Sequence, residues 1–514
     1  MVKSGPLLLL GAFGGLFLAC SFTTVDVEEC ADDAACIGAF GPGYRCLATG
    51  LCEPPTDACQ SSEECRRNLG FGSVCGSAGR CQPLVVPARC STTFPPELFG
   101  RGDAGEHFIV GNLMDRSIES QRARERAAQL AAEQANAEGG LEGRPIGWVF
   151  CDVAEDAEYD TLSRTEAALA MGSWLAEDLG VPAIEGPSSS GDTIAVFEAL
   201  RETRTLVISP SATSPALTGL DTSSPTDDDP GLLWRTAPPD SAQGQLIAED
   251  LRLRGIERVA VINEIGPYGD ELARVFEEAF GGPLISSKYS EQAQIAEVAT
   301  EVGVTPDLEE VIFVSSQADH VVTFLNAAAL NPAFDEVGLF LTDSAASVDL
   351  FAADDARFAQ VRGSRPQRVS NSIFTAFASS YAAAFSGEDV TQFSFAAQAY
   401  DAAWLILYGA ASAYVETRSE VTGAGIARGL RKISDPAGTP VELRGSQWPR
   451  ARQVFREGGT LNVSGASGEL DYDPATEETT AAVEVWRIVP DCEGAGFTLE
   501  GIETGVTPPR PGCG

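Results

Sequence analysis

The sequence predicts an α/β protein with two successive parallel-sheet lobes, preceded by a small disulfide-rich module. Three observations carry that expectation. An Ala-rich helical run stops at Gly139-Gly140, turns through residues 141–145 and enters an apolar strand at 146–150, with Cys151 and Asp152 at its carboxyl end. Helix, tight turn, strand and helix again is the beat of a parallel sheet, whose ligands sit beyond the strand carboxyl ends. The same rhythm runs twice along the chain. Ahead of it, eight cysteines recur with one spacing in two tandem blocks.

Taken in order, residues 1–19 hold one basic residue (Lys3), the run PLLLLGAFGGLFLA and a small Ala19 before Cys20. The apolar stretch is too short to span a bilayer, so it reads as a secretory signal. The cysteine that follows resembles a lipobox, which implies that Cys20 becomes a lipidated N-terminus with residues 20–29 as its linker. Phe17 and Leu18 are unusual before Ala19, so ordinary signal cleavage is the alternative. Export fits a chain with thirteen cysteines, because disulfides persist outside the cytoplasm.

Cys30, Cys36, Cys46 and Cys52 are repeated by Cys59, Cys65, Cys75 and Cys81, 29 residues later, so residues 30–52 and 59–81 form a tandem repeat. Each unit is too small to bury a core without staples. Zinc sites favour closer cysteine pairs, and no histidine lies near, so disulfides are expected and no metal. Four cysteines allow three pairings per unit, and the sequence does not choose among them. After a linker at 82–106, Cys90 is expected to pair with Cys151. In the tail, residues 490–514, Cys492 is expected to pair with Cys513.

Strands are expected near 108–113, 146–150, 183–184 and 206–208, with helices over 118–137, 161–179 and 193–201, and a surface loop at 222–230. The rhythm resumes with strands at 259–262, 311–314 and 338–341. A formal charge of −39 argues against nucleic acid and anionic lipid surfaces as partners.

Eight segments in one order resemble the type I periplasmic binding proteins of the branched-chain amino-acid (leucine-binding) family. They are LAAEQANAEGGLEGRPIGWVFCD (130–152), AIEGPSSSG (183–191), LVISPSATSPALT (206–218), LWRT with the Asp240–Gly244 stretch, RVAVINEIGPYG (258–269), VRGS (361–364), AYDA (399–402) and GASGELDYD (465–473). The resemblance covers about 107–489. It implies a two-lobed domain with lobe 1 at about 107–236 and 364–451 and lobe 2 at about 237–363 and 452–489. The chain would cross near Thr236, near Gly363 and within 452–473, with ligand in the cleft.

Ser188, Ser189 and Ser190 sit between a strand end and a helix start, where backbone N–H groups and hydroxyls can hold a carboxylate. Ser211-Ala212-Thr213 is a second such junction. The resemblance implies ligand carboxylate and ammonium contacts at Ser188, Ser211 and Thr213; the plainer reading is that these hydroxyls cap helices. From the facing lobe, Tyr268 would close over the ligand or pack on its own lobe. Asp343 fits the family's acidic partner for a ligand ammonium, or a helix cap. Ser315–Asp319 lacks the aromatic that amino-acid binders often carry, and Leu113–Ser117 lacks the family's Gly-bearing loop, which leaves room for a different small polar ligand.

Catalysis has little to stand on. The two histidines, His107 and His320, read as structural, and no nucleophile elbow, phosphate loop or zinc-protease pair occurs. Asp152, Glu155 and Asp401 read as helix-start or surface carboxylates. No enzyme and no cofactor is expected. The expected function is an extracytoplasmic, lipid-anchored solute-binding protein for an amino acid or similar small polar solute, delivering it to an ABC permease. The alternative is an envelope sensor or scaffold without transport, which the cysteine repeats favour.

Overall fold

A computed structural model describes residues 30–40, 43–54, 57–156, 158–222, 224–282, 284–418, 421–479, 481–492 and 496–507. The signal segment, Cys20 and Cys513 lie outside them. Each cysteine unit is a helix (Asp33–Phe40; Ser62–Leu69) and a two-stranded hairpin. First pairs with third cysteine and second with fourth: Cys30–Cys46, Cys36–Cys52, Cys59–Cys75 and Cys65–Cys81. The second unit is docked on the first lobe. The Arg66 guanidinium donates to the carbonyls of Glu177 and Asp178, and Ser62 Oγ donates to Asp178 Oδ1 at 3.0 Å. A buried Cys90–Cys151 disulfide adds a covalent tie. Cys492 is disulfide-bonded as well.

The first lobe carries β1 (Thr92–Phe94), β2 (Phe108–Met114), β3 (Ile146–Asp152), β4 (Ala183–Glu185), β5 (Leu206–Ser209) and β6 (Leu233–Arg235) in the order β6-β5-β4-β2-β3-β1. All pairs are parallel except β1, which runs antiparallel along β3. β2 and β3 are buried along their whole length, as strands covered on both faces must be. Phe108 and Val110 enter one core, Ile109 and Leu113 the other. On the first face lies α1 (Glu119–Ala137), whose Ala123, Ala127, Ala131 and Ala135 form a smooth stripe. On the second lie α2 (Arg164–Ser173) and α3 (Ser190–Ala199).

The second lobe begins with α4 (Asp240–Arg254), β7 (Val259–Glu264) and α5 (Pro267–Phe280). It continues with β8 (Leu284–Tyr289), α6 (Ile295–Gly303), β9 (Glu310–Val314), α7 (Ala318–Leu330), β10 (Gly338–Leu341) and β11 (Val361–Pro366). The chain then returns to the first lobe for α8 (Ser372–Ala384), the 22-residue α9 (Ala396–Thr417) and α10 (Gly423–Leu430). β12 (Thr439–Glu442), α11 (Trp448–Arg456), β13 (Leu461–Gly465) and β14 (Gly468–Glu469) follow, and the strands form a small sheet. β15 (Val483–Pro490) and β16 (Phe497–Ile502) finish the second sheet, ordered β8-β7-β9-β10-β11-β15-β16, both antiparallel. Among the described residues, no helix is long and apolar enough to cross a membrane.

Four boundaries differ from the sequence expectation. The linker at 82–106 supplies an edge strand, and the tail at 490–514 supplies β16. Gly363 is inside β11 rather than at a crossover; a Cβ there would meet the Trp486 ring at 2.2 Å, so the glycine makes room for an indole. The second crossing therefore follows Pro366. Residues 452–472 stay with the first lobe, because Phe455, Leu461, Val463 and Tyr472 are buried in its core, and the third crossing falls between Tyr472 and Val483.

Arg235, at the end of β6, fastens the first and third crossings together. Only 2 % exposed, it donates to Glu478 through Nε and Nη2, both at 2.6 Å, and to the Ala212 and Ser214 carbonyls through Nη1. Its own carbonyl accepts from the Tyr472 hydroxyl at 2.9 Å. Removing one half of a buried ion pair leaves the other uncompensated. Arg235→Ala is expected to lower unfolding stability by about 3–5 kcal/mol in a urea titration, with loss of cooperativity between the lobes.

Candidate functional site

The carboxyl ends of both sheets face one another across a cleft. On the first lobe β4 ends in Glu185, and Gly186 turns with φ +96°, where a Cβ would strike the Leu113 carbonyl at 2.4 Å. That turn presents Ser188 and Ser189. β5 ends in Ser209 and presents Ser211 and Thr213. On the second lobe Tyr268 stands in the first turn of α5, and Asp343 follows β10. Ser188, Ser189, Ser211, Tyr268 and Asp343 line one compartment.

The hydroxyls have distinct duties. Ser189 Oγ accepts from the Asp192 amide at 3.1 Å and donates to Asp192 Oδ2 at 2.8 Å, so it caps α3. Ser188 and Ser211 instead accept from one guanidinium, Arg124 of α1, at 3.0 and 2.9 Å, and Ser211 Oγ donates to the Ser188 carbonyl at 2.9 Å. Thr213 lies behind them, buried, its hydroxyl beside the Asp240 and Asp343 carboxylates.

Arg124 was not among the sequence candidates, yet it organises this wall. It is 5 % exposed, and its remaining donors reach Ser394 Oγ and carbonyl, while its plane lies 5.2 Å from the Phe395 ring centroid. All its direct partners are neutral. Burial pulls its pKa down to about 10, and the carboxylates of Asp349 and Asp343 oppose that only at a distance. The sequence held a signal: Arg124 shares a helix face with Ala128 and Ala132, four and eight residues on, and a charge on an alanine face that packs inward is a buried charge.

The opposite wall is anionic. Asp343 is 3 % exposed; its Oδ1 accepts from the Tyr268 hydroxyl at 2.6 Å and from the Ser344 amide at 2.8 Å, while Oδ2 has no partner. Burial raises its pKa to about 6, against the pull of those two donors, of the Thr213 hydroxyl and, at a distance, of Arg124. Asp240, wholly buried at the start of α4, is pushed well up by burial and by Asp343, with the nearby Thr213 hydroxyl and Arg235 opposing. Tyr268 packs in the core of its own lobe and also turns its hydroxyl to the cleft. The lobes touch through Ser214 Oγ, which donates to the Pro267 carbonyl at 2.6 Å, and through Arg164 with Gln317.

Two carboxylates read as ordinary are not. Asp401 is fully buried in α9 and accepts from the Ala466 and Ser467 amides at 2.9 and 2.7 Å, with burial raising its pKa to about 7. Asp152 is buried and accepts from the Arg116 and Ala154 amides. Glu155 is exposed. His107 pairs with the Asp103 carbonyl at 3.0 Å, and His320 lies 3.3 Å from the Tyr289 hydroxyl, neither in the compartment.

This geometry, a two-lobed cleft with the buried Arg124 on one wall and the buried Asp343 on the other, defines a ligand-binding protein of the type I periplasmic fold. The receptor family ligand binding region matches residues 123–491, and the chain belongs to that family. It is 26 % identical to the chemotactic signal transduction system substrate-binding protein BasB of Halobacterium salinarum, over 73 % of this chain and 86 % of that protein. In fold it is similar to the branched-chain amino acid transporter substrate binding protein LivJ of Streptococcus pneumoniae in complex with isoleucine, with TM-score 0.56, 19 % identity and coverage of 77 % and 100 %. A solute binding protein of Rhodopseudomonas palustris BisB5 in complex with 3,4-dihydroxy benzoic acid gives TM-score 0.56 at 14 % identity, covering 78 % and 98 %.

Tyr268→Phe removes one donor to the ionised Asp343, and hydrogen bonds to a carboxylate hold its pKa down. The Asp343 titration, followed by carboxyl-carbon NMR, is expected to move upward from about 6 in that variant.

Proposed function

We propose that this protein captures an α-amino acid between its lobes, outside the cytoplasm. One observation carries the reading: a buried guanidinium without a carboxylate in contact on one jaw, and a buried carboxylate with a free oxygen on the other. Neither is a comfortable resident of a dry cleft, and a zwitterion answers both at once. Its carboxylate meets Arg124 with Ser188 and Ser211; its ammonium meets Asp343, with Thr213 and Tyr268 beside it. Closure is then a population shift towards the form in which both charges are paired.

In this reading residues 1–19 are a lipoprotein signal, Cys20 is the anchor, and 30–81 is a stapled spacer between anchor and clamp. Delivery to an ABC permease is supported by the fold shared with LivJ. A sensory role has its own support in the likeness to BasB across 73 % of the chain, and in a cysteine module fixed to one lobe.

Titration calorimetry with the twenty amino acids tests the binding. Arg124→Ala and Asp343→Ala should each lower affinity roughly 100-fold or more. Unchanged affinity in Asp343→Ala would remove that residue from the site. Because only ionised Asp343 pairs with an ammonium, affinity should hold above its pKa of about 6 and decline as pH falls through it. A ligand whose affinity rises on acidification would sink the ammonium assignment.

A further inference from the structure

Asp343 and Phe395 also form a wall of a second compartment that runs along the second crossing. Its lining is apolar at Phe374, Val390 and Phe393 and basic at Arg365 and Arg368. Arg365, at the end of β11, is 5 % exposed; its Nε donates to Glu484 Oε1 at 2.7 Å, but its buried Nη1 has no partner. Arg368, on the crossing itself, makes neither hydrogen bond nor ion pair among the described residues. Burial and the neighbouring Arg365 lower its pKa to about 10, with Glu484 and Asp389 opposing at a distance.

Two guanidiniums against apolar walls are costly to cover with a neutral group. An apolar side chain would strip their water and return no hydrogen bond, and a neutral polar one would return the bond without the charge. A terminal acid would pair with the planar donors of both. We propose that this compartment receives the side chain of the captured amino acid and selects one with a second acidic group on an apolar stem, held by Arg365 and Arg368. The inference rests on the amino-acid reading of the cleft. It adds an effect on closure: an acid bound at Arg368 takes hold of the crossing segment itself, so the ligand's far end joins the hinge.

Calorimetry on the purified protein with L-leucine, L-phenylalanine, L-glutamate and L-2-aminoadipate decides the matter. The acidic ligands are expected to bind about tenfold or more tightly than leucine, the scale of one charged hydrogen-bonded contact. Arg368→Ala should bring them down to leucine's level, Arg368→Lys should restore part of the difference, and a thermal melt checks that each variant is folded. Equal affinities for acidic and neutral ligands, or an acidic preference untouched by Arg368→Ala, would overturn the inference and leave the amino-acid cleft standing. No binding of any of the four would overturn both.

Discussion

Much of this molecule hangs on the Arg235 guanidinium. It joins the serine-bearing loop at 211–214 to the last crossing through Glu478, and its own peptide holds Tyr472. The loop that faces the cleft and the last crossing between the lobes are thereby one hydrogen-bonded unit. Burial makes that unit obligatory, because a guanidinium with 2 % exposure must keep all its partners or lose its place.

The cleft works on the opposite principle. Arg124 and Asp343 are buried in facing walls without touching each other, each left with neutral donors and acceptors. Such a cleft carries charge that the fold itself does not neutralise. On the amino-acid reading proposed above, affinity and closure would draw on that same electrostatic source.

The parallel α/β order was legible because β2, β3, β7 and β9 are short apolar runs between helical stretches, and strands buried on both faces cannot look otherwise. The serine turns and Asp343 were legible by resemblance and because they follow strand ends. What escaped was set by tertiary partners. β1 and β16 are edge strands whose pairing depends on β3 and β15: Phe94 pairs with Trp148, far along the chain, and Pro490 with Phe497 across a loop. Residues 452–472 join the first lobe because Leu461 and Val463 find its core, and nothing local fixes that choice. Arg124 and Asp401 have the composition of surface groups; only the helices packed around them make them interior.

The cysteine unit at 59–81 and the disulfide at Cys90 are both fixed to the first lobe, by Arg66, Ser62 and Cys151. In mechanical language, that lobe is the stator and the second lobe the rotor. On the proposed reading of the cleft, the tied lobe is the one held with the N-terminal module and the other is the half left to move. A partner sharing the first lobe's frame would then feel occupancy as displacement of a single body.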